Sequence, residues 1–175
     1  MKIKESIQLD FIIDKLTNSI QNTISGDSFE TEVLRFTNND LKQTTKKNGW
    51  NFNWKEELKN TTKEVFKLTI PHNSSIIQGL LSLTLETDHV YLHLLENAPF
   101  NIGKNKLYEG VAGNLVAHAC KVSFQQGYDG FVGFTAKTNL IQHYQKKLGA
   151  YSLGGHRMII PTKSAQTLIE KYFKS

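Results

Sequence analysis

The chain has few of the residues that cross-link proteins covalently or through metals. Its 175 residues include one cysteine, Cys120, so no disulfide can form within the chain, and this usage suits a reducing compartment. The spacing of that cysteine and the six histidines matches no zinc site, so we expect no metal. At this length a hydrophobic core alone can stabilise a fold, and we expect a single domain over residues 1–175.

Long apolar runs are also lacking. The first residues, MKIKESIQLDFIIDKL, contain no continuous apolar segment of the kind found in signal peptides. No run approaches the roughly 18 residues that a membrane-spanning helix needs. We therefore expect a cytoplasmic protein without a membrane partner.

Arginine is scarce although the chain is basic. The formal net charge is +5, yet Arg35 and Arg157 are the only arginines among 21 basic residues. Proteins that recognise bases and phosphates favour the bidentate arginine side chain, so a dedicated nucleic-acid-binding domain is the weaker alternative. The lysine excess still attracts anions through its field, and a nucleotide cofactor is one such anion.

The first 63 residues give weak patterns. Apolar residues spaced by four, from Ile12 to Ile24, predict a helix over 10–24. A strand is predicted over 29–36, a short polar helix over 38–47 capped by Asn39 or Asp40, and a strand over 50–58.

The remaining residues give clearer patterns. We predict strands over 64–70, 76–86, 89–96 and 130–136, a strand pair over 150–160, and helices over 111–126, 139–149 and 164–173. The second and third of these strands form an antiparallel hairpin, and a helix crossover then leads into a parallel strand. This order predicts a mixed α/β (α+β) sheet, largely antiparallel and flanked by helices, rather than a doubly wound one.

Small residues stand immediately before the helix that begins near Val111. The stretch YEGVAGNLVAHAC, residues 108–120, places Gly110, Ala112 and Gly113 at the helix start. Two interpretations fit. The small residues form a tight turn and allow close packing on the sheet, or they let a phosphate approach the unpaired N–H groups of the first turn. Neither a P-loop nor a GxGxxG fingerprint is present.

Two motifs stand out in the second half of the chain, Leu-Tyr-Glu-Gly-Val-Ala at 107–112 and an Asn139, Tyr144 and KKLGAY set that ends at residue 151. Through them residues 76–161 resemble the core of the GNAT N-acetyltransferase superfamily. That family carries the pattern [Q/R]-x-x-G-x-[G/A] between a strand and a helix, where this chain has Leu-Tyr-Glu-Gly-Val-Ala at 107–112. Its second hallmark, an Asn that opens the next helix and a Tyr before a K-x-G-aromatic ending, is similar to Asn139, Tyr144 and KKLGAY at 146–151. The chain departs from the first pattern at Leu107, where a side-chain donor to phosphate is missing. Lys104 or Lys106 can compensate as a point charge.

The resemblance implies a GNAT-like acyl-CoA N-acyltransferase fold with a splayed pair of parallel strands, and acetyl-CoA as cofactor. Main-chain amides of the loop would hold the pyrophosphate, and the edge of the strand near residue 96 would hold the pantetheine arm. The binding residues that it implies are Leu95, Glu96, Asn97, Tyr108, Glu109, Gly110, Val111, Ala112, Gly113, Asn114, Asn139 and Tyr144. In this scheme residues 1–63 lie on the acceptor side, residues 64–161 form the cofactor core and 162–175 form a closing helix.

Acetyl transfer to an amine needs an acid for the leaving thiolate and a neutral nucleophile. Tyr144 is the expected acid, with a core aromatic as the alternative. His93 and Glu96 are the candidate bases, and Glu86 is a further candidate that would act through a water. The acceptor, a small amine, a peptide or an aminoacyl-tRNA, is left open, as are a homodimer and a module that binds acyl-CoA without turnover.

Four further features receive structural interpretations. We expect His118 to be solvated and Cys120 to pack as a small apolar residue. We expect the aromatic residues at 50, 52 and 54 to belong to the core, and His156 with Arg157 to lie in a solvated loop.

Overall fold

The computed structural model describes residues 7–17 and 19–172. Within these residues short 3-10 helices at Asn38–Gln43, Lys46–Asn48, Pro99–Asn101 and Thr138–Leu140 separate the longer elements. The strands and α-helices, in chain order, are β1 (Ile20–Asn22), β2 (Ser28–Phe29), β3 (Glu32–Arg35), α1 (Trp54–Lys59), β4 (Lys63–Thr69), β5 (Gly79–Leu85), β6 (Val90–Asn97), β7 (Tyr108–Glu109), α2 (Val111–Gln125), β8 (Val132–Thr135), α3 (Ile141–Leu148), β9 (Tyr151–Gly154), β10 (Arg157–Ile160) and α4 (Thr162–Tyr172).

The main sheet has seven strands in the order β3-β4-β5-β6-β8-β10-β9. Its neighbours are antiparallel except β6 and β8, which are parallel and joined through α2. A small second sheet has the order β2-β1-β7. The mixed, largely antiparallel sheet and the β5–β6 hairpin that the sequence predicts are therefore confirmed.

The parallel strands β6 and β8 diverge soon after they meet. Their register pairs Val90 with Val132 and Tyr91 with Gly133, and no pairing between the two strands follows along the rest of their described length. On its other edge β6 has a register shift against β5 that leaves His93 as an extra residue. A bulge of this kind bends and twists its strand, and the C-terminal half of β6 accordingly turns away from β8.

Helices cover both faces of the sheet. Phe66, Leu81 and Leu95 are register partners on one face, where Phe66 touches His118 of α2. Because side chains alternate along a strand, Glu96 points to the opposite face, and there it meets Trp54 of α1. The two faces of β6 therefore pack toward different helices, α2 on one side and α1 on the other.

Residues 7–17, which we name the N-terminal strap, lie in the space that the diverging strands leave. Leu9 forms a parallel bridge with Ala136 just after β8. Its N–H donates to the carbonyl of Thr135 at 2.7 Å, and its carbonyl accepts from the N–H of Lys137 at 3.0 Å. Thr135 pairs with β10 on its other side, so the strap occupies the edge of β8 that faces β6.

The helix predicted over 10–24 is wrong. Leu9, Phe11 and Ile13 are buried while the residues between them are exposed, which is the period of an extended segment. The apolar spacing of four extends to Ile24, which is exposed, so it does not define a buried face. Pairing with β8 outweighs the helical pattern here, and residue 18 lies outside the described residues.

The strand predicted over 50–58 is also wrong. Asn53 caps a helix instead, its Oδ1 accepting from the N–H of Glu56 at 3.1 Å, and α1 follows. The aromatic residues nevertheless reach the core as expected, with Trp50 and Trp54 buried and Phe52 packed against them. The polar helix predicted over 38–47 is replaced by two 3-10 helices, at Asn38–Gln43 and Lys46–Asn48. The predicted cap at Asn39 or Asp40 is wrong, because Thr37 is the N-cap and Asp40, three residues later, accepts from its N–H at 2.9 Å.

The predicted elements of the second half are present. Gly127 follows α2 with a φ of 82° and Gly149 ends α3 with a φ of 67°, both values that favour glycine. The predicted cap is not found, because Asn139 lies within a 3-10 turn that precedes α3. Of the closing helix, residues 173–175 lie outside the described part. None of the described helices is long and apolar enough to span a membrane.

Close packing of α2 on β5 predicts a cost for any side chain at Gly79. A Cβ there would lie 2.7 Å from Val111 Cγ1 and 3.2 Å from the carbonyl oxygen of Glu96. We expect Gly79→Ala to lower the free energy of unfolding by about 1–3 kcal/mol in urea titrations. Gly133→Ala is the matched control, because its Cβ meets the ring of His89, a side chain, at 3.2 Å. Equal stability of both variants would contradict the tight packing.

Candidate functional site

A cavity of about 620 Å³ lies where β6 separates from β8. Leu95, Glu96 and Asn97 at the end of β6 line one side, and four residues of the N-terminal strap line the other: Asp10, Phe11, Ile12 and Asp14. Lys106 and Lys137 are also among its lining residues. The structure thus brings together the strand end that the sequence predicts as a binding edge and a segment that it does not.

A second cavity, of about 570 Å³, lies at the other end of the same strands. It includes His89 just before β6, Tyr91 of β6 and Arg157 of β10. Here β6 and β8 are still paired, so the main chain of neither strand is open toward a ligand. We therefore place the candidate site at the diverging end.

A carboxylate occupies the start of α2. Gly110 has a φ of 96°, and its N–H donates to Asp14 Oδ1 at 3.0 Å. Lys106 Nζ lies 3.0 Å from the other oxygen of Asp14 and 3.9 Å from Glu109. An anion is therefore bound between a main-chain donor, the positive end of a 15-residue helix and a lysine. The anion comes from the N-terminal strap.

The first turn of α2 is not open to solvent. Residues 110–114 are buried, and Tyr108 and Glu109 are partly buried. A Cβ at Gly113 would lie 1.8 Å from the hydroxyl of Tyr172, so this glycine is required for packing against α4. Asn114 is held by Thr31 and by the carbonyl of Gly110. In this state the packing interpretation of the small residues holds at Gly113, and the phosphate interpretation remains a prediction.

Tyr144 lies at the centre of the interface between α3 and the strap. It is fully buried, and its ring lies 4.7 Å from that of Phe11 and 5.2 Å from that of Phe134. Its hydroxyl donates to the carbonyl of Phe11 at 2.7 Å. Burial raises the pKa of the phenol, and the nearby Asp10 carboxylate raises it further, so the group holds its proton. The predicted alternative of a core aromatic describes this state, and a role as acid stays a prediction.

Glu96 is a buried carboxylate with three donors. The N–H groups of Asn51 and Phe52 donate to it at 2.7 and 3.2 Å, and Trp54 Nε1 donates at 2.8 Å. Glu96 also lines the cavity at the diverging end of β6, and its role as a binding residue or base stays a prediction. Its hydrogen bonds show that it also joins β6 to the segment before α1.

His93, the bulge residue of β6, lies on the same face as Tyr91, with ring centroids 4.7 Å apart. Its Nε2 lies 3.2 Å from Thr84 Oγ1. Burial lowers its pKa, and the charge of Lys63 lowers it further, so the ring is neutral at pH 7. Glu86, in contrast, is exposed in the turn before β6, at the end where the strands are paired.

The remaining predicted positions are peripheral in this state. Asn139 is exposed, as are Lys104 and Leu107. Of the two lysines considered as substitutes for the missing donor at 107, Lys106 is the one at the start of α2. Two residues that the sequence did not indicate, Asp10 and Asp14, lie at the cavity. The alternation of Leu9, Phe11 and Ile13 is consistent with an extended segment, but Ile12 between them lets the same residues fit a helix.

Comparison with solved structures defines the class of fold. A tyrosine-to-phenylalanine mutant of the toxin AtaT, bound to the C-terminus of the antitoxin AtaR and acetyl-CoA, superposes with a TM-score of 0.56 at 20% identity over 83% of this chain and 99% of its own. The spermidine/spermine N-acetyltransferase SpeG from Vibrio cholerae gives 0.58 at 14% identity over 78% and 96%. The ribosomal-protein-S18-alanine N-acetyltransferase from Escherichia coli gives 0.50 at 13% identity over 74% and 90%.

The chain therefore has the fold of the GNAT N-acetyltransferases, and the predicted resemblance is confirmed at the level of the fold. No protein-family profile matches the chain, and the comparison with curated proteins gave no significant match.

Cys120 and His118 lie within α2. Cys120 is buried as predicted, and burial raises the pKa of its thiol to about 12. The prediction of a solvated His118 is wrong, because the ring packs 4.7 Å from that of Phe66 and its Nε2 is buried. Burial lowers its pKa to about 4, and the charges of Lys121 and Arg35 contribute to the shift.

The depressed pKa of His118 predicts a pH-dependent stability. The unfolded chain binds a proton at an ordinary histidine pKa near 6.5, whereas the folded chain does so only near 4. Between these values the unfolded state binds more protons, so stability falls as the pH falls, by at most about 1.4 kcal/mol per pH unit. Urea titrations from pH 7 to pH 4 should show a steeper loss for the wild-type protein than for His118→Gln. Parallel curves would contradict the burial of the ring.

Proposed function

We propose that the chain is an acetyl-CoA-dependent N-acetyltransferase that transfers the acetyl group directly to a primary amine. The observation that carries this proposal is the divergence of β6 and β8 beside the start of α2, on a GNAT fold. One side of that corner binds an anion, and the adjacent cavity of about 620 Å³ follows the end of β6. A diphosphate attached to an extended thiol arm has this combination of charge and length.

The residues around the corner fit such a cofactor. The N–H of Gly110 and Lys106 would hold the diphosphate, since they already hold a carboxylate. The main chain at Leu95–Asn97, on the edge of β6 without a partner strand, would hold the arm by strand-like hydrogen bonds. We also propose the other residues of the loop 108–114, together with Asn139, as cofactor-binding residues. When bound, the thioester supplies an acetyl group activated toward amines.

We assign the proton transfers to one residue of α3 and one of β6. We propose Tyr144 as the acid for the leaving thiolate, because its phenol keeps its proton at neutral pH. We propose His93 before Glu96 as the base. A neutral imidazole accepts a proton from an ammonium group, whereas the oxygens of Glu96 already accept three hydrogen bonds. Main-chain N–H groups on the free edge of β6 would polarise the thioester carbonyl.

The acceptor and the organisation of the chain also remain proposals. Residues 1–175 are proposed as one cytoplasmic domain, with 64–161 as the cofactor core and the acceptor bound by parts of 1–63. Two parts of the described residues within 1–63 line the cavity. They are the N-terminal strap and the segment whose main-chain N–H groups bind Glu96. A small amine, a peptide amine and an aminoacyl-tRNA are the acceptor classes to be compared.

A second candidate function is a module that binds acyl-CoA without turnover. Leu107 favours it, because the family pattern has a side-chain donor at this position. The carboxylate at Gly110 favours it too, because it takes the position proposed for the diphosphate.

Two measurements on the full chain separate the candidates. We expect coenzyme A to bind in calorimetric titrations, and thiol to be released from acetyl-CoA in the presence of members of an amine panel. Binding with no thiol release across small amines, peptides and aminoacyl-tRNA would favour the module. No binding of coenzyme A or acetyl-CoA would exclude both functions.

Tyr144→Phe tests the acid. We expect kcat to fall by about 10²–10⁴, the usual contribution of general acid catalysis, with the far-ultraviolet circular dichroism unchanged. The affinity for coenzyme A should stay the same or increase, because the lost hydroxyl donates to the carbonyl of Phe11 in the N-terminal strap. An unchanged kcat would remove Tyr144 from the mechanism. Tyr128→Phe, which alters an aromatic residue lining the cavity at the paired end of the strands, is the control.

A further inference from the structure

The N-terminal strap contacts both sides of the gap through its aspartates. Asp14 takes the N–H of Gly110 and pairs with Lys106. Asp10 Oδ2 lies 2.7 Å from Lys137 Nζ, an exposed pair that adds little stability by itself. The lysines that line the cavity are therefore neutralised by carboxylates from the strap. A ligand with several phosphate charges would meet the same partners.

The apolar side of the strap packs toward α3. Leu9, Phe11 and Ile13 are buried, and the N–H of Ile13 donates to His143 Nε2 at 3.0 Å. The carbonyl of Phe11 accepts the proton of the Tyr144 hydroxyl. The hydroxyl of Tyr172 in α4 donates to the carbonyl of Lys15 at 2.9 Å, which holds the other end of the strap.

Two groups that the proposed function requires are therefore engaged by one segment. The N–H of Gly110, proposed to bind the diphosphate, is bonded to Asp14. The hydroxyl of Tyr144, proposed to protonate the thiolate, is bonded to Phe11. The strap joins these two positions along the edge of β8 that faces the gap. Neither group can act in catalysis until the strap leaves it.

We propose that the N-terminal strap is an autoinhibitory segment that competes with the cofactor, with Asp14 in the place of a phosphate group. The inference rests on the proposed function and adds a regulatory state to the same site. In the closed state the strap blocks the diphosphate position and holds the proton of Tyr144. Binding of coenzyme A displaces Asp14 and shifts the chain to an open state, so the apparent affinity includes the cost of opening.

The attachment of the strap suits a reversible displacement. Along β8 it is held by a single bridge, which consists of two main-chain hydrogen bonds. The interaction of Asp14 with Gly110 and Lys106 is charge-assisted, and a diphosphate can replace it with an interaction of the same kind. Opening loses the burial of three apolar side chains, which keeps the closed state favoured without a ligand.

Two variants that loosen the strap by different means test the proposal. Asp14→Ala removes the carboxylate, and His143→Ala removes the acceptor for Ile13 without changing a charge at the start of α2. We expect each to increase the affinity for coenzyme A by about five- to tenfold in calorimetric titrations, because each lowers the cost of opening. His89→Ala, whose ring lies against Asp88 and Gly133, is the matched control and should bind as the wild-type protein does.

Hydrogen exchange reports the position of the strap directly. We expect coenzyme A to increase exchange at the amides of Leu9 and Ile13 in the wild-type protein. Both loosening variants should show this faster exchange without ligand.

Two outcomes would overturn the autoinhibitory segment and leave the proposed function standing. In the first, coenzyme A binds while these amides stay protected. In the second, Asp14→Ala alone gains affinity, which would reflect a change in local charge. Failure of all four proteins to bind coenzyme A, with the strap amides exchanging fast in both variants, would instead overturn the proposed function and the competition with it.

Discussion

The early separation of β6 from β8 is the constraint on which the candidate site depends. Two parallel strands joined through a helix would normally remain paired along their length. Their facing N–H and C=O groups would then hydrogen-bond to each other and leave none for a ligand. Here pairing stops after two positions, and the extra residue His93 bends β6 away. The gap exposes a strand edge inside the protein, which must be filled by another segment or by a ligand because buried N–H and C=O groups need partners.

The chain fills part of this gap with its own residues. The N-terminal strap pairs with β8, while the side next to β6 stays open as the cavity. The charge pattern follows the same division. In the two ion pairs that join the strap to the rest of the site, the lysines, Lys106 and Lys137, lie outside the strap and the aspartates, Asp14 and Asp10, lie within it. An overall charge of +5 therefore says less about ligands than the position of these pairs does.

The sequence predicted the core of the fold because its patterns there are local. The β5–β6 hairpin, α2 with Gly127, and α3 with Gly149 each combine a buried face with a stop signal. The helix predicted over 10–24 was wrong because the structure of that segment depends on distant partners. Leu9 is extended because it pairs with Ala136, more than a hundred residues away, and the spacing of its neighbours fits a helix equally well.

The sequence indicated where the candidate site lies, but it did not indicate that the N-terminal strap occupies part of it. The sequence identified the start of α2, the end of β6 and Tyr144, and the fold brings the first two to one corner with Tyr144 beside the strap. It did not indicate that a carboxylate would occupy Gly110, because nothing near Asp14 distinguishes it from other acidic residues. His118 was misplaced for a related reason. A histidine among apolar helix positions is solvated or buried according to the strand beneath it, here β4 with Phe66.

Glu96 has a consequence for how this protein can diversify. It joins the end of β6 to the segment before α1, and two of its three donors are main-chain N–H groups, those of Asn51 and Phe52. A main-chain donor is the same whatever side chain the residue carries, except proline. The hydrogen bonds of Glu96 therefore place no requirement on the side chains at these two positions, while the carboxylate keeps the segment at a fixed distance from the strand.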